Sequence, residues 1–267
     1  MKVSDYQLYW EDIRERVVFA QFDDYAWKLA EKIFKYKKNN SLYIYHDSKL
    51  AAFYGVTDSL KEAEKGYRFY SRKKNIKFVI TLKKKIFDEI KKYGFTIEKI
   101  KIKKLSDEEL KEQIIKSLDF YRRALSIHYL TQPQFFENFE KKDERKRKIF
   151  KEIAQARFSY TRKAWTKAMT ISRIFLKEYS RRGKIKLEYA ESMLWEEICN
   201  DKLDVSKLRA RCLKFVIISK FHKLRLISGK AVNGYIKKFE SFKNLNLIKG
   251  IIGNRGSKKG IGFCFKK

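Results

Sequence analysis

Residues 105–130 read LSDEELKEQIIKSLDFYRRALSIHYL, and this stretch decides the fold class. It begins with a capping box, because Ser106 is followed three residues later by Glu109, and each side chain can then bond the other residue's backbone amide. The segment predicts a long helix with one buried face, since its apolar residues recur at alternating spacings of four and three. That apolar stripe consists of Leu110, Ile114, Leu118, Tyr121 and Leu125.

A second long helix is predicted from about Glu137 to Arg182, and Pro133 separates it from the first. Gly183 supplies its stop signal. Two adjacent amphipathic helices of this length most simply pack antiparallel. One side of the second helix carries Phe150, Ile153, Arg157, Tyr160, Ala164, Ala168, Ile171 and Phe175.

The first hundred residues mix helical and strand patterns. Apolar and aromatic residues near helical spacing predict a helix over 10–36, and the short aromatic and β-branched stretch SLYIYHD (41–47) predicts a strand. A further helix is predicted over 57–73, capped by Thr57 or Asp58. Residues 76–94 resemble a short strand running into a helix that ends at Gly94.

Beyond Gly183 the patterns become shorter. Two short helical patterns are split near Asn200–Asp204, and Asp204 can cap the second of them. Residues 215–228 alternate and break at KFHK (220–223), as a β-hairpin would. The final segment, from Leu247 on, is punctuated by glycine and resembles a strand.

Together these patterns predict an α+β fold that is mainly α, with long antiparallel helices. Small strand elements are expected near the N-terminus and a short β region at the C-terminus. Four parts are predicted: a mixed α/β segment (1–104), a helical domain (105–203), a connector of one helix and a β-hairpin (204–247), and a glycine-rich β segment (248–267).

The charge of the chain is extreme, because 64 Lys and Arg residues against 32 Asp and Glu residues leave a net charge of +32. Clustered cations favour a polyanionic partner, since they release counterions from nucleic acid. The alternative is a compositional origin, because Lys, Ile, Phe, Tyr and Asn are abundant, only one Pro occurs, and Lys is present in every segment. Nucleic acid is therefore a candidate partner through net charge only.

The cysteines and the N-terminus indicate the compartment. Three widely separated cysteines (Cys199, Cys212, Cys264) form no C-x-x-C pair, which argues against a disulfide framework or a zinc site and favours a reduced, cytoplasmic setting. The N-terminus carries acidic residues where a signal peptide needs an apolar stretch. No apolar run approaches the roughly 20 residues of a spanning helix, so no membrane partner is expected.

A search for catalytic residues finds no candidate. The three histidines (His46, His128, His222) stand far apart, and the pairs His46–Asp47 and Ser126–His128 lack a third member at a recognisable spacing. Acidic pairs on the predicted helices are typical of solvated faces. No catalytic, cofactor-binding or metal-binding residue is therefore predicted.

The glycine motifs do not satisfy the patterns of phosphate-binding loops. At Ser228–Ala231, Ala231 stands where a P-loop needs a hydroxyl, and Leu224 stands where it needs its first glycine. The pair Gly260 and Gly262 is followed by Phe265 where a dinucleotide-binding loop needs a third glycine. These glycines are instead interpreted as tight turns.

The stretch IKGIIGNRGSKKGIGFCF (248–265) resembles the entry to the swivelling phosphohistidine domain of the phosphoenolpyruvate synthase and pyruvate phosphate dikinase family. The matching residues are Lys249, Gly250, Gly256 and Gly260. Upstream, LSDEEL, the helix ending EYSRRGKIKLEYAESMLWEEI, and KLRARCLKFVIIS followed by KLRLISGKAV are similar, in the same order, to the helical segment that precedes that domain. The resemblance covers about residues 105–267.

In this family, phosphate passes from ATP or phosphoenolpyruvate through a histidine in a Thr-Ser-His motif beyond these glycines. The chain contains no Thr-Ser-His, so no catalytic residue of the family is carried over. The resemblance implies a truncated or split member that is non-catalytic alone, needs no cofactor of its own, and ends in the first strand and turns (248–267) of an incomplete swivelling domain. Its implied partner is a separately encoded swivelling or ATP-grasp domain. The alternative hypothesis is a basic helical nucleic-acid-binding protein.

Overall fold

The fold combines a five-stranded antiparallel sheet with a set of long helices, in a computed structural model that describes residues 6–12, 16–38, 40–131 and 151–244. The protein is therefore α+β and mainly α, as the sequence predicts. In chain order the elements are β1 (Tyr6–Asp12), α1 (Val17–Phe34), β2 (Asn40–His46), β3 (Lys49–Gly55), α2 (Val56–Tyr70), α3 (Lys73–Glu98), α4 (Asp107–Tyr129), α5 (Lys163–Arg182), α6 (Leu187–Ala190), α7 (Trp195–Cys199), α8 (Val205–Leu213), β4 (Phe215–Lys220), β5 (Lys223–Ser228) and α9 (Val232–Asn244).

The strands lie in the order β1-β3-β2-β4-β5, and every neighbouring pair is antiparallel. Two tight hairpins connect β2 to β3 and β4 to β5. Their turn residues all have left-handed backbone angles: Asp47 and Ser48 have φ of 48° and 62°, and Phe221 and His222 have φ of 49° and 61°. Two such residues in succession are the geometry of a type I′ turn, which matches the right-handed twist of the strands.

The sheet is covered on both faces. Tyr43 and Tyr54 point toward the main core that the sheet shares with α1 and the long helices, whereas Leu42 and Phe53 point to the other face. This alternation follows from the two-residue period of a strand. Helix α9 covers the second face with Phe239, although the sequence patterns did not predict this helix.

Helices α4 and α5 pack antiparallel, as predicted. Arg182 at the end of α5 pairs with Asp107 at the start of α4 (2.7 Å), and Arg157, ahead of α5, contacts His128 at the end of α4. The predicted capping box is confirmed, because Ser106 Oγ accepts from the Glu109 amide (3.1 Å) and the Glu109 carboxylate accepts from the Ser106 amide (2.7 Å). All five residues of the predicted apolar stripe of α4 are buried.

The second long helix contains a π-helical stretch over Arg157–Arg162, within a helical run that the structure describes from residue 151. A π-helical turn holds more residues than an α-helical one and rotates the helix face. Thr161 is consequently fully buried, while Arg157 and Tyr160, which the sequence placed on the apolar side, are only partly buried.

Three predictions in the N-terminal region were wrong in part. Residues 10–12 belong to β1 rather than to a helix, so α1 begins only at Val17. Helix α2 forms, but Gly55 is its N-cap, and Asp58 instead accepts a hydrogen bond from the Asn40 amide (3.2 Å). The strand predicted within 76–94 does not form, because α3 is one continuous helix whose buried residues recur at helical spacing.

Gly94 lies within α3 and does not end it. A Cβ atom at this position would lie 2.4 Å from Lys167 Cε of α5, so the glycine lies where the two helices approach each other and is not part of a turn. The predicted strand over 41–47 is confirmed by β2, the predicted hairpin by β4 and β5, and the helix stop by Gly183.

The region after Gly183 also follows the sequence patterns. The first of the two predicted short helical patterns forms two helices, α6 and α7, and the second forms α8, which Asp204 caps by accepting from the Lys207 amide (3.1 Å). The four-part division of the chain stays a prediction. Because β2 pairs with β4, the first and third of those parts contribute strands to one sheet.

Candidate functional site

A group of seven ionisable side chains is buried between the sheet, α1 and α2. We call it the charge cluster, and its members are Asp23, Asp24, Glu31, Lys38, Asp58, Glu62 and His222. Asp23, Asp24 and Glu31 lie on α1, Lys38 lies just beyond it, and His222 is in the β4–β5 turn. The side chains are taken out of water: Asp23 is 1% exposed and Lys38 is 3% exposed.

Asp23 is held by aromatic hydroxyl groups. Tyr54 donates to Asp23 Oδ2 (3.1 Å), and Tyr129 donates to Asp23 Oδ1. Tyr54 also accepts from the indole N–H of Trp27 (3.2 Å), and the Trp27 ring stacks on Tyr129 at 4.4 Å. Burial raises the pKa of Asp23 to about 6, although the Tyr129 hydrogen bond and the charge of Lys38 oppose the rise.

Asp24, the next residue, has the opposite shift because its partner is an imidazole. His222 Nδ1 lies 2.7 Å from Asp24 Oδ2, and His222 Nε2 lies 2.8 Å from Glu31 Oε2. Ser41 also donates to Asp24 (2.6 Å). Although burial acts against ionisation of both groups, these bonds lower the pKa of Asp24 to about 2 and raise that of His222 to about 9.

Lys38 supplies the second buried cation. Its ammonium lies 3.2 Å from the centre of the Tyr54 ring and 4.4 Å from that of Trp27, which are cation–π distances, and it makes no hydrogen bond. Burial lowers its pKa to about 8, against the raising effect of the Asp24 and Glu62 carboxylates. The Lys38 ammonium thus lies among the carboxylates, in the position that a bound cation would take in an acidic cluster.

The groups of the charge cluster interact with one another and with neighbouring side chains. Asp23 and Asp24 each accept hydrogen bonds from fixed side chains, and the five carboxylates face two cations of the chain itself. In the described parts of the chain, no group of three or more His, Cys, Asp or Glu side chains is arranged to hold a metal ion. The arrangement can therefore fix charge and couple α1 to the hairpin.

The two histidine pairs noted in the sequence do not assemble into a site. His46 Nδ1 contacts Asp47 (3.2 Å) at an exposed turn, and Ser126 donates to a backbone carbonyl of its own helix. His128 is buried beside Arg157 (2.8 Å), and burial lowers its pKa well below the usual value. The residues that carry the resemblance to the swivelling domain lie outside the described residues: Lys249, Gly250, Gly256 and Gly260.

A further buried cation, Lys83 of α3, lies beside the end of α4 and the π-helical stretch. Its ammonium donates to Ile127 O (3.2 Å), Thr131 Oγ1 (2.8 Å) and Thr161 Oγ1 (3.2 Å). Both threonine hydroxyls already donate to backbone carbonyls, so the three bonds use all three hydrogens of the protonated ammonium. Burial, with a smaller contribution from Arg157, lowers the Lys83 pKa well below its usual value.

One long helix concentrates exposed lysines on a single side. Seven exposed lysines lie on the solvent side of α3, and we call this set the lysine face: Lys73, Lys74, Lys77, Lys84, Lys85, Lys91 and Lys92. The first turn of α4, in contrast, exposes Asp107, Glu108 and Glu109. On the same side of α3, Thr81, Lys84, Lys85, Asp88, Glu89 and Lys92 line a shallow, open groove.

Sequence reasoning missed both features. The charge cluster could have been suspected from QFDDYAW (21–27), where two adjacent aspartates interrupt an apolar helix. The lysine face was hidden because α3 was interpreted as a short strand followed by a helix, so its lysines were not assigned to one continuous helix.

No family model, no curated protein and no solved structure matches the chain. Within the described residues, no helix is both long enough and apolar enough to cross a membrane.

Proposed function

We propose that the protein is a non-catalytic docking module of a cytoplasmic, phosphoenolpyruvate-utilising phosphotransfer system. Its partner is a separately encoded swivelling or ATP-grasp domain. The resemblance of residues 105–267 to the phosphoenolpyruvate synthase and pyruvate phosphate dikinase family is the basis of the proposal. The structure adds a physical reason why the segments that carry this resemblance act together.

The observation that carries the proposal is the ion pair between Arg211 and Glu197. Arg211 comes from KLRARCLKF and Glu197 from WEEI, two of the motifs that are similar to the family. The Arg211 guanidinium binds Glu197 in a bidentate manner (2.6 and 2.9 Å) and also donates to Ser192 O (3.3 Å), with the arginine 7% exposed. Bidentate arginine–carboxylate pairs fix geometry as well as charge, so the two motifs form one rigid platform.

The chemistry of the histidines supports the non-catalytic part of the proposal. A phosphocarrier imidazole must reach an incoming phosphoryl group, which carries negative charge. His222 is clamped between Asp24 and Glu31, which repel such a group, and His128 is buried. His46 is the more accessible ring, beside Asp47 at the β2–β3 turn.

The proposal is tested by mixing the purified protein with the swivelling and ATP-grasp domains of a phosphoenolpyruvate synthase. Isothermal titration calorimetry measures binding, and radioactive ATP and phosphoenolpyruvate measure phosphotransfer. We expect one of the two domains to bind and the label to appear only on the swivelling domain's histidine. Label on a histidine of this protein contradicts the non-catalytic part, and failure to bind either domain contradicts the docking part. A His46→Asn variant identifies the acceptor if label does appear.

A further inference from the structure

The lysine face of α3 points to a second binding activity, independent of the phosphotransfer proposal. We propose that this face binds single-stranded nucleic acid, with its lysines on the phosphates and the exposed Phe78 and Phe95 stacking on bases.

The lysines are arranged as a continuous strip. At about 100° per residue, all seven side chains fall within an arc of about 120° on the helix, and Lys73 and Lys92 are separated by about 29 Å along its axis. The opposite arc carries the buried residues, including Ile76, Ile86 and Ile90. The strip is therefore the whole solvent side of a helix that the core holds in place, rather than a set of scattered charges.

The ammonium groups of the lysine face are not neutralised by carboxylates of the described residues. Among the described residues, none of the seven makes an ion pair with a carboxylate. Glu89, at the edge of the groove, pairs instead with Arg123 of α4. Within the strip, Asp88 is the one exposed acidic side chain. The other exposed acidic residue of α3, Glu98, lies beyond the last lysine of the strip. The strip thus carries a large local excess of positive charge, which attracts a linear polyanion.

Two exposed aromatic rings distinguish a nucleic acid from other polyanions. Phe78 is 53% exposed and Phe95 is 52% exposed, on the same helix as the lysines. Two cations flank the Phe95 ring, with Lys91 Nζ 5.9 Å and Lys167 Nζ 5.3 Å from its centre. Positive grooves with exposed aromatic side chains bind single strands, because unpaired bases stack on the rings. An acidic protein segment carries no bases between its charged groups, so it has no equivalent group to stack on these rings.

The experiment measures binding of a fluorescent oligothymidylate by anisotropy over a series of salt concentrations. Five to seven neutralised phosphates give a slope of log affinity against log salt of about −3.5 to −5 for a single strand. The triple variant K77Q/K84Q/K91Q removes three lysines of the face and should reduce the magnitude of that slope by about 2. Single Phe78→Ala and Phe95→Ala variants should each weaken binding at least about fivefold and leave the slope unchanged.

A matched control variant distinguishes an effect of the lysine face from an effect of the protein's net charge. The variant K186Q/K202Q/K220Q removes three exposed lysines elsewhere, so both triple variants lower the net charge equally. The proposal is supported if only the α3 variant changes the slope. It is overturned if both triple variants weaken binding alike, if the phenylalanine variants bind as the unmodified protein does, or if polyglutamate competes as well as unlabelled oligothymidylate. Circular dichroism verifies that each variant keeps the fold.

Discussion

Replacing His222 by asparagine should remove a pH-dependent part of the stability. The imidazole bridges Asp24 and Glu31 of α1 from the β4–β5 turn, and both ring nitrogens face carboxylate oxygens. Only the protonated ring donates from both nitrogens, so this geometry requires the imidazolium. Asparagine tolerates the left-handed backbone at this position, where φ is 61°, and therefore preserves the turn while removing the bridge.

The magnitude follows from the shift of the His222 pKa from 6.5 to about 9. One pKa unit corresponds to about 1.4 kcal/mol, so the protonated ring contributes about 3 kcal/mol. The side chain is 15% exposed, so solvent screening reduces this value only modestly. Because the pKa is raised in the folded state, the contribution is fully present below about pH 6.5 and is lost as the pH rises to about 9.

Urea denaturation of the unmodified protein and the His222→Asn variant, at about pH 6 and about pH 9.5, measures this difference. We expect the variant to lose about 3 kcal/mol at the lower pH and nearly nothing at the higher. Taking the difference between the two proteins cancels the titrations of Asp23 and Lys38. The control is His46→Asn at the other hairpin, which should cost less than about 1 kcal/mol at either pH. An equal loss from His222→Asn at both pH values would show that the bridge is not ionic.

Substitutions at three other residues test the buried charges by the same denaturation assay. Lys38→Met should cost about 3–5 kcal/mol at neutral pH, because it leaves carboxylates of the cluster uncompensated; the loss should shrink near pH 5, where Asp23 is protonated, and an unchanged loss would contradict this coupling. Lys83→Met should change stability by less than about 1.5 kcal/mol, whereas Lys83→Ala should cost about 2–5 kcal/mol through its cavity; equal losses would assign the cost to the lost hydrogen bonds instead. Arg211→Lys should cost about 1–3 kcal/mol, since lysine cannot form the bidentate pair with Glu197, and an unaffected stability would remove the support for a rigid platform.

Features determined by neighbouring residues were predictable from the sequence. The capping box of Ser106 and Glu109 spans four residues, and the apolar stripe of α4 repeats every three or four residues. The β4–β5 hairpin was marked by its alternation and its break at 220–223. The capping box and the hairpin join residues close in the chain, and the stripe is a periodicity within one helix, so the local pattern contains the information.

The errors arose where a local pattern was ambiguous and packing decided the outcome. Residues 76–80 are rich in β-branched residues and resemble a strand, but Ile76 and Val79 are buried at helical spacing against the other long helices. Gly94 resembled a helix stop, yet it lies where α5 approaches closely through Lys167. Burial outweighs the local propensity for strand or helix. Burying a large apolar side chain contributes about 1.5–3 kcal/mol, which is more than the difference in propensity between residue types.

The sequence by itself determined that the chain forms long amphipathic helices with a few strands, since periodicity and capping are local properties. Only the tertiary structure decided which charges meet. His222 reaches Asp24 across 198 positions and Glu31 across 191, and no spacing rule connects residues so far apart. It likewise decided that the α3 lysines share one solvent face while Lys83, on the same helix, is buried. Helix packing assigns each residue to core or solvent. It therefore places some charged residues in a buried cluster and others in an exposed strip, whereas the sequence shows only an overall charge of +32.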